Sequence, residues 1–146
     1  MYYVYQYIVC TIVIFFVGLS LNTKPKIALI AGAAGAIGYV VYLLCPEAKI
    51  GYFLSALVLT LLSELLARLC KLPANNFLVL GIYPLVPGIA LFRTTAYAVR
   101  GDYQKFLECG SEALVCIILM TVAIALIPTV FRILSKGNKK VKNPMD

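Results

Sequence analysis

Histidine is absent from this 146-residue sequence, and charged residues make up only 13% of it. The absence of histidine excludes histidine proton relays, histidine-ligated metals and the serine or cysteine triads that need an imidazole base. The five cysteines have no Cys-x-x-Cys spacing, so they are typical of small apolar residues on helix surfaces rather than of a metal site or a disulfide framework. Paired carboxylates are also missing, and we therefore expect no enzyme, no metal and no cofactor.

Apolar residues fill most of the remaining positions, with 62% hydrophobic residues and a mean hydropathy of +0.95. Soluble domains carry roughly 25% charged residues, and a helix crosses a bilayer with about 20 apolar residues. The apolar runs lack the strict alternation of a membrane β-barrel. The sequence therefore predicts an all-α membrane protein with five transmembrane helices, at Val4–Leu21, Ile27–Leu44, Gly51–Leu69, Phe77–Val99 and Ala113–Leu134.

The connections between these segments are short, which favours antiparallel neighbours and a compact five-helix bundle. We expect a membrane domain over residues 1–134 and a basic cytoplasmic tail over residues 135–146. The first segment is predicted to be retained rather than cleaved as a signal peptide, because residues 1–6 contain no lysine or arginine and no small-residue cleavage site follows.

The basic residues predict the orientation of the bundle. One set of alternate connections and the C-terminus holds Lys24, Lys26, Arg68, Lys71, Arg132, Lys136, Lys139, Lys140 and Lys142, and the other side holds Lys49, Arg100 and Lys105. By the positive-inside rule this bias places the N-terminus outside and the C-terminus in the cytoplasm. The net charge of +7 then reflects topology and attraction to anionic headgroups. Nucleic-acid binding by the tail is the less favoured alternative.

A glycine-rich stretch lies inside the second segment, with glycines at Gly32, Gly35 and Gly38. Two pairs of small residues in this stretch are four positions apart, Ala31 with Gly35 and Ala34 with Gly38. Pairs with this spacing let two helix backbones approach closely in lipid. A phosphate-binding loop is the alternative, but no strand precedes the stretch and no lysine ends it. We interpret the glycines as helix-packing positions.

The fourth segment is interrupted by Pro84, Pro87 and Gly88. Prolines remove backbone donors, and glycine permits turns that a continuous helix cannot make. In hydrocarbon such a break persists only where protein or a wet cavity satisfies the freed groups, and secondary transporters hold substrates at breaks of this kind. A purely structural kink is the alternative. We predict a Pro/Gly-broken fourth helix that binds a substrate.

The half-helix after Gly88 would direct the amides of Ile89, Ala90 and Leu91 towards the gap, where they suit an anionic group such as a carboxylate. Thr94 and Thr95 could supply hydroxyl groups if they face the same cavity. Arg93 could neutralise an anion or reach the outer interface.

Charges inside the predicted spans are few, and such residues are typical of functional sites. Glu64 and Arg68 are four residues apart on the third segment, so they can pair on one helix face. Either they form a snorkelling pair near the helix end, or Glu64 is a titratable carboxylate in the bundle interior and a candidate proton carrier. Glu112 is expected to interact with the helix dipole at the start of the fifth segment.

Three motifs together resemble a known family: Leu62-Ser63-Glu64-Leu65-Leu66-Ala67-Arg68, then Leu72-Pro73-Ala74, then Ile82-Tyr83-Pro84-Leu85-Val86-Pro87-Gly88. The chain is similar to the small-subunit half of the threonine/serine exporter family, which includes the two-component succinate exporter of bacteria. The similarity covers roughly residues 4 to 134. The motif positions that match are Glu64, Pro84, Pro87 and Gly88, and Arg93 is not among them.

The resemblance implies a bacterial inner-membrane protein that works with a larger subunit of the same family and exports small amino acids or dicarboxylates. Because a five-span chain has its ends on opposite sides, a homologous partner copy would insert upside down, which is how many transporters are built. An assembly subunit that stabilises a larger transporting partner, without contacting substrate, is the alternative function. A lipid-modifying enzyme is the weakest alternative, since no catalytic constellation is visible.

Overall fold

A computed structural model describes residues 1–142, with side chains described at all of these positions except 48 and 134–142. The described residues form helices and connecting turns: α1 (Tyr2–Ser20), α2 (Pro25–Leu44), α3 (Ala48–Cys70), α4 (Asn75–Gly81), a 3₁₀ turn (Tyr83–Leu85), α5 (Gly88–Arg100) and α6 (Tyr103–Lys142). The end of the predicted basic tail, residues 143–146, lies outside the described residues.

Proline and left-handed residues set the ends of the first three helices. Pro25 opens α2, where its missing amide costs no helical hydrogen bond. Cys45 precedes a proline and is therefore extended, with φ −81° and ψ 130°, which ends α2. Asn22 after α1 and Lys71 after α3 adopt left-handed conformations, with φ of 57° and 53°. Short turns of this kind return each helix directly beside the previous one.

Helices α1 to α4 pack together, and α6 packs against α3. One cluster of buried side chains joins α1, α2 and α4 and contains Cys10, Ile14, Ala31, Ala36, Phe77 and Leu80. A second cluster joins α3, the 3₁₀ turn and α6 and contains Ala56, Leu59, Leu85, Met120 and Ala123. The helix α2 lies between α1, α3 and α4, so it is the centre of the bundle.

The two halves of the fourth segment have different surroundings. The half-helix α4 packs on α2 and α3, whereas α5 packs on α6 and, within residues 1–142, on no other helix. No residue of α5 is buried. The half-helix α5 therefore lies at the periphery of the helix bundle. It forms a helical hairpin with α6, which itself packs against α3.

The last helix begins ten residues earlier than the predicted start at Ala113, because Asp102 caps it at Tyr103. The Asp102 carboxylate accepts a hydrogen bond from the Lys105 amide at 3.3 Å and lies 3.2 Å from the Lys105 ammonium. The amide hydrogen bond is the main cause that lowers the pKa of Asp102 below its usual value. Glu112 lies in the third turn of α6, so its predicted position at a helix start is wrong.

The fold class predicted from the sequence is confirmed. In the described part of the chain, α1, α2, α3 and α6 are long and apolar enough to cross a membrane, and the bent pair of α4 and α5 makes a fifth span if it is counted as one. The structure is an all-α membrane protein with an interrupted fourth segment.

Candidate functional site

The break in the fourth segment is built from Pro84 and Pro87. Pro84 lies in the 3₁₀ turn, since its ring would clash with the carbonyl one turn earlier in an α-helix. Val86 precedes the second proline and is extended, with φ −60° and ψ 128°. Pro87 itself has φ −74° and ψ 59°, and the Gly88 amide donates to the Val86 carbonyl at 2.7 Å. This is an inverse γ-turn, and the chain bends by 56° across it.

The first turn of α5 leaves two backbone amides unpaired within residues 1–142, those of Ile89 and Ala90. The Gly88 amide is used by the γ-turn, and the Leu91 amide donates to the Pro87 carbonyl at 3.1 Å. The expectation of a free Leu91 amide is therefore wrong. Two adjacent donors and the positive end of the helix dipole remain for an acceptor at this helix start.

One side of the break is fixed in the core and the other is open. Leu85 is 1% exposed and packs with the second core cluster, and Pro87 is buried as well. At Gly88, by contrast, an added Cβ would meet nothing within 4 Å, and Ile89 is 74% exposed. The turn therefore fixes the start of α5 to the core while it leaves open space at the Cβ position of Gly88. Within the described chain, a Cβ can be added at Gly88 without a clash.

Two of the predicted site residues on α5, Thr94 and Arg93, lie in different surroundings. The Thr94 hydroxyl donates to the Ala90 carbonyl at 2.8 Å, and its methyl group would lie 3.3 Å from a Cβ built on Gly110 of α6. Thr94 thus faces α6, and its proton is already used. Arg93 is exposed, and no carboxylate of the described chain lies within ion-pair distance of it. Of the two, Arg93 is the one that remains free to meet an anion.

Glu64 and Arg68 do not form the ion pair that their spacing allows. The Arg68 guanidinium lies over the ring of Phe131 in α6, 4.4 Å from the ring centroid, and no ion pair joins it to Glu64. Cation–π stacking of this kind holds the end of α3 against α6. Glu64 is half-buried, and it keeps its carboxylate free of a basic partner within the described chain.

A row of buried hydroxyl groups on α3 was missed by the sequence analysis. Ser55, Thr60 and Ser63 are the buried polar residues of the described chain. Ser55 donates to the Tyr52 carbonyl at 3.1 Å and Thr60 to the Ala56 carbonyl at 2.7 Å, but the Ser63 oxygen has no hydrogen-bond partner there. The signal in the sequence is three small hydroxyl residues on one face of an apolar helix. They add polarity to the bundle interior, and Ser63 directly precedes the candidate proton carrier Glu64 in the sequence.

The three glycines of α2 lie in the middle of a helix, and each faces a different neighbour. A Cβ on Gly32 would lie 3.0 Å from the Thr11 carbonyl oxygen of α1, and one on Gly38 would lie 3.4 Å from the Ser55 carbonyl oxygen of α3. A Cβ on Gly35 would lie 2.8 Å from the Gly81 Cα of α4. The backbone of the broken segment thus rests directly on the centre of the bundle at Gly35.

Residues 1–142 contain no cluster of three or more histidine, cysteine, aspartate or glutamate residues that could hold a metal ion. All five thiols are free, and Cys10 and Cys116 are buried among apolar side chains. The polar groups of the candidate site are therefore the two free amides, Arg93 and the half-buried Glu64.

A bundle of apolar helices with a discontinuous segment defines a class, the multi-pass α-helical membrane proteins of the transporter type. A comparison with family profiles is in agreement, because the profile described as "Threonine/Serine exporter, ThrE" matches residues 6–130. The chain belongs to this threonine/serine exporter family. The comparisons with curated proteins and with solved structures each give no match.

Proposed function

We propose that this chain is the small subunit of a bacterial inner-membrane exporter and binds small amino acids or dicarboxylates at the break before α5. The observation that carries the proposal is the helix start at Gly88, where the amides of Ile89 and Ala90 have no backbone partner and an added Cβ at Gly88 would meet nothing within 4 Å. A carboxylate is common to threonine, serine and succinate, and it is the group that a helix N-terminus accepts best. Arg93 is the nearby cation that would balance a second negative charge.

Transport by the reconstituted complex tests this function. The chain is co-purified with a larger membrane protein of the same family and placed in vesicles loaded with threonine, serine or succinate. We expect efflux of at least one of these substrates from vesicles that contain both proteins, and none from vesicles that contain either protein alone. Equal efflux from vesicles that contain the larger protein alone would leave this chain only a supporting role.

The larger partner is proposed to supply the facing half of the site as an inverted copy. The bent pair of α4 and α5 supports this proposal if it crosses the membrane once, since the chain then has five spans and its ends lie on opposite sides. The excess of basic residues near the α1–α2 and α3–α4 connections supports a cytoplasmic location for these connections and for the C-terminus.

Cysteine labelling from the two sides of the membrane decides between one crossing and a re-entrant pair. Asn76 follows the α3–α4 connection and Asp102 follows α5. We expect cysteines at these two positions to react with an impermeant maleimide from opposite sides. Reaction of both from the same side would make the bent pair re-entrant and would contradict the inverted-copy arrangement.

Glu64 is the proposed proton carrier if export is driven by protons. It is a half-buried carboxylate without a basic partner in the described chain, and the unpaired Ser63 hydroxyl precedes it. The Glu64→Gln variant keeps the shape of the side chain but cannot release a proton. We expect this variant to export at a rate that no longer responds to a pH gradient, measured in vesicles with and without the gradient. Glu112→Gln, at an exposed position of α6, is the matched control and should keep the response.

A further inference from the structure

A groove lies at the end of the bundle where α1 turns into α2 and α3 turns into α4. It has a volume of about 700 Å³ and is separate from the break, since α4 runs between the two. Its polar lining residues are Asn22, Thr23, Lys24, Asn75 and Asn76, and its other lining residues are Leu21, Ile27, Cys70, Leu72, Val79 and Leu80. Both sides of the groove therefore offer hydrogen-bonding groups together with apolar surface.

The two turns that form the groove have the same backbone design. Asn22 and Lys71 are the non-glycine residues of the described chain with positive φ. The Thr23 amide then donates to the Gly18 carbonyl at 3.0 Å, and the Leu72 amide donates to the Ala67 carbonyl at 3.0 Å. These bonds close both helix ends in the manner of Schellman motifs. The turns are thus held in place without the use of the polar side chains, which stay available for a ligand.

The charge of the groove has one sign. Lys24 is the charged residue among its lining residues, and none of them is acidic. The Lys24 ammonium makes no ion pair within the described chain, and it caps no helix through its side chain. Lys26 and Lys71 flank the groove in sequence but do not line it. A site with one unpaired ammonium and several carboxamide donors is suited to a phosphate group.

The position of the groove and its apolar lining residues favour the phosphate of a lipid over free phosphate. The groove lies at the ends of apolar helices, which is the depth of the headgroups in a bilayer, and basic pockets between membrane helices bind anionic headgroups. Leu80 lines the groove, is 3% exposed and belongs to the first core cluster, so the apolar lining is continuous with the core. We propose that this groove binds an anionic phospholipid, with the phosphate at Lys24 and the first acyl carbons along Leu72 and Val79.

Lipid binding to the purified chain tests the proposal. The chain is titrated in neutral detergent with phosphatidylglycerol or with phosphatidylcholine of the same chain length, and bound lipid is counted by native mass spectrometry. We expect phosphatidylglycerol to bind, and the Lys24→Gln variant to bind it about tenfold more weakly, as suits the loss of one charge-assisted hydrogen bond. Lys26→Gln, two residues away and outside the lining, is the matched control. Its affinity for phosphatidylglycerol should stay within about twofold of that of the unaltered chain.

Three results would overturn the proposal. Equal weakening by Lys24→Gln and Lys26→Gln would show only general attraction to a basic surface. Equal binding of phosphatidylcholine would remove the role of negative charge. Displacement of phosphatidylglycerol by equimolar inorganic phosphate would assign the groove to free phosphate instead of lipid. The test does not use transport, so it is independent of the proposed export function.

Discussion

The Gly88→Leu variant is expected to fold and assemble normally but to lose export. At Gly88 an added Cβ meets nothing of this chain within 4 Å, so we expect the leucine to be accommodated without a shift of the backbone. It would, however, fill the space beside the free amides of Ile89 and Ala90, where the carboxylate of the substrate is proposed to bind. We expect export in vesicles to fall by at least about tenfold, the change that corresponds to roughly 1.4 kcal/mol of lost binding.

Two controls separate blocked binding from a general effect of added bulk. Ala98→Leu adds a similar volume at an exposed position of the same helix, and we expect it to export normally. The amount of complex recovered in purification should be the same for the unaltered chain, Gly88→Leu and Ala98→Leu. Normal export by Gly88→Leu would place the substrate elsewhere. A matching fall in complex abundance would favour the assembly function over substrate binding.

The Gly35→Leu variant, unlike Gly88→Leu, is expected to lose folding stability. A Cβ there would lie 2.7 Å from the Ile14 Cδ1 atom, 2.8 Å from the Gly81 Cα and 2.9 Å from the Gly81 carbonyl oxygen. Two of these contacts are with backbone, so α4 must move away from α2 to make room. Overpacking of a core costs about 1–3 kcal/mol when side chains can adjust, and a displaced backbone raises this cost. We therefore expect Gly35→Leu to lower the free energy of unfolding by at least about 3 kcal/mol, the upper end of the overpacking range.

Denaturation in mixed micelles measures this loss, with Gly88→Leu as the matched control. Both variants exchange a glycine for a leucine within the same chain, so differences in composition cancel. Only Gly35→Leu should unfold at a lower denaturant concentration. Equal stability of the two variants would mean that the glycine contact between α2 and α4 does not hold the broken segment in place.

The break was predictable from the sequence because proline and glycine act through local backbone geometry. Pro84 and Pro87 each remove a donor and restrict the preceding residue, so an interruption follows whatever the neighbours are. The separation of α5 from the core was not predictable in this way. In a membrane an apolar helix face suits lipid as well as protein, so residues such as Phe92 and Val99 carry no information on which neighbour they meet.

The partners of charged residues show the same limit. The spacing of Glu64 and Arg68 predicts a local pair, but the Arg68 guanidinium lies over Phe131 instead. That contact joins residues far apart in the chain, and only the packing of α3 on α6 brings them together. The start of α6 was missed for a related reason. Its first turns are polar, so hydropathy does not reveal a helix that the Asp102 cap begins.

The most direct measurement of the central claim is the protection of the α5 start by substrate. The five native cysteines are replaced, and single cysteines are introduced at Ile89, beside the break, or at Val99, about 15 Å further along α5. The rate of maleimide labelling is then compared with and without threonine, serine or succinate in the reconstituted complex. Binding at the break predicts that an exported substrate slows labelling several-fold at residue 89 and leaves the rate at residue 99 unchanged. An unchanged rate at residue 89, at concentrations that saturate export, would contradict it.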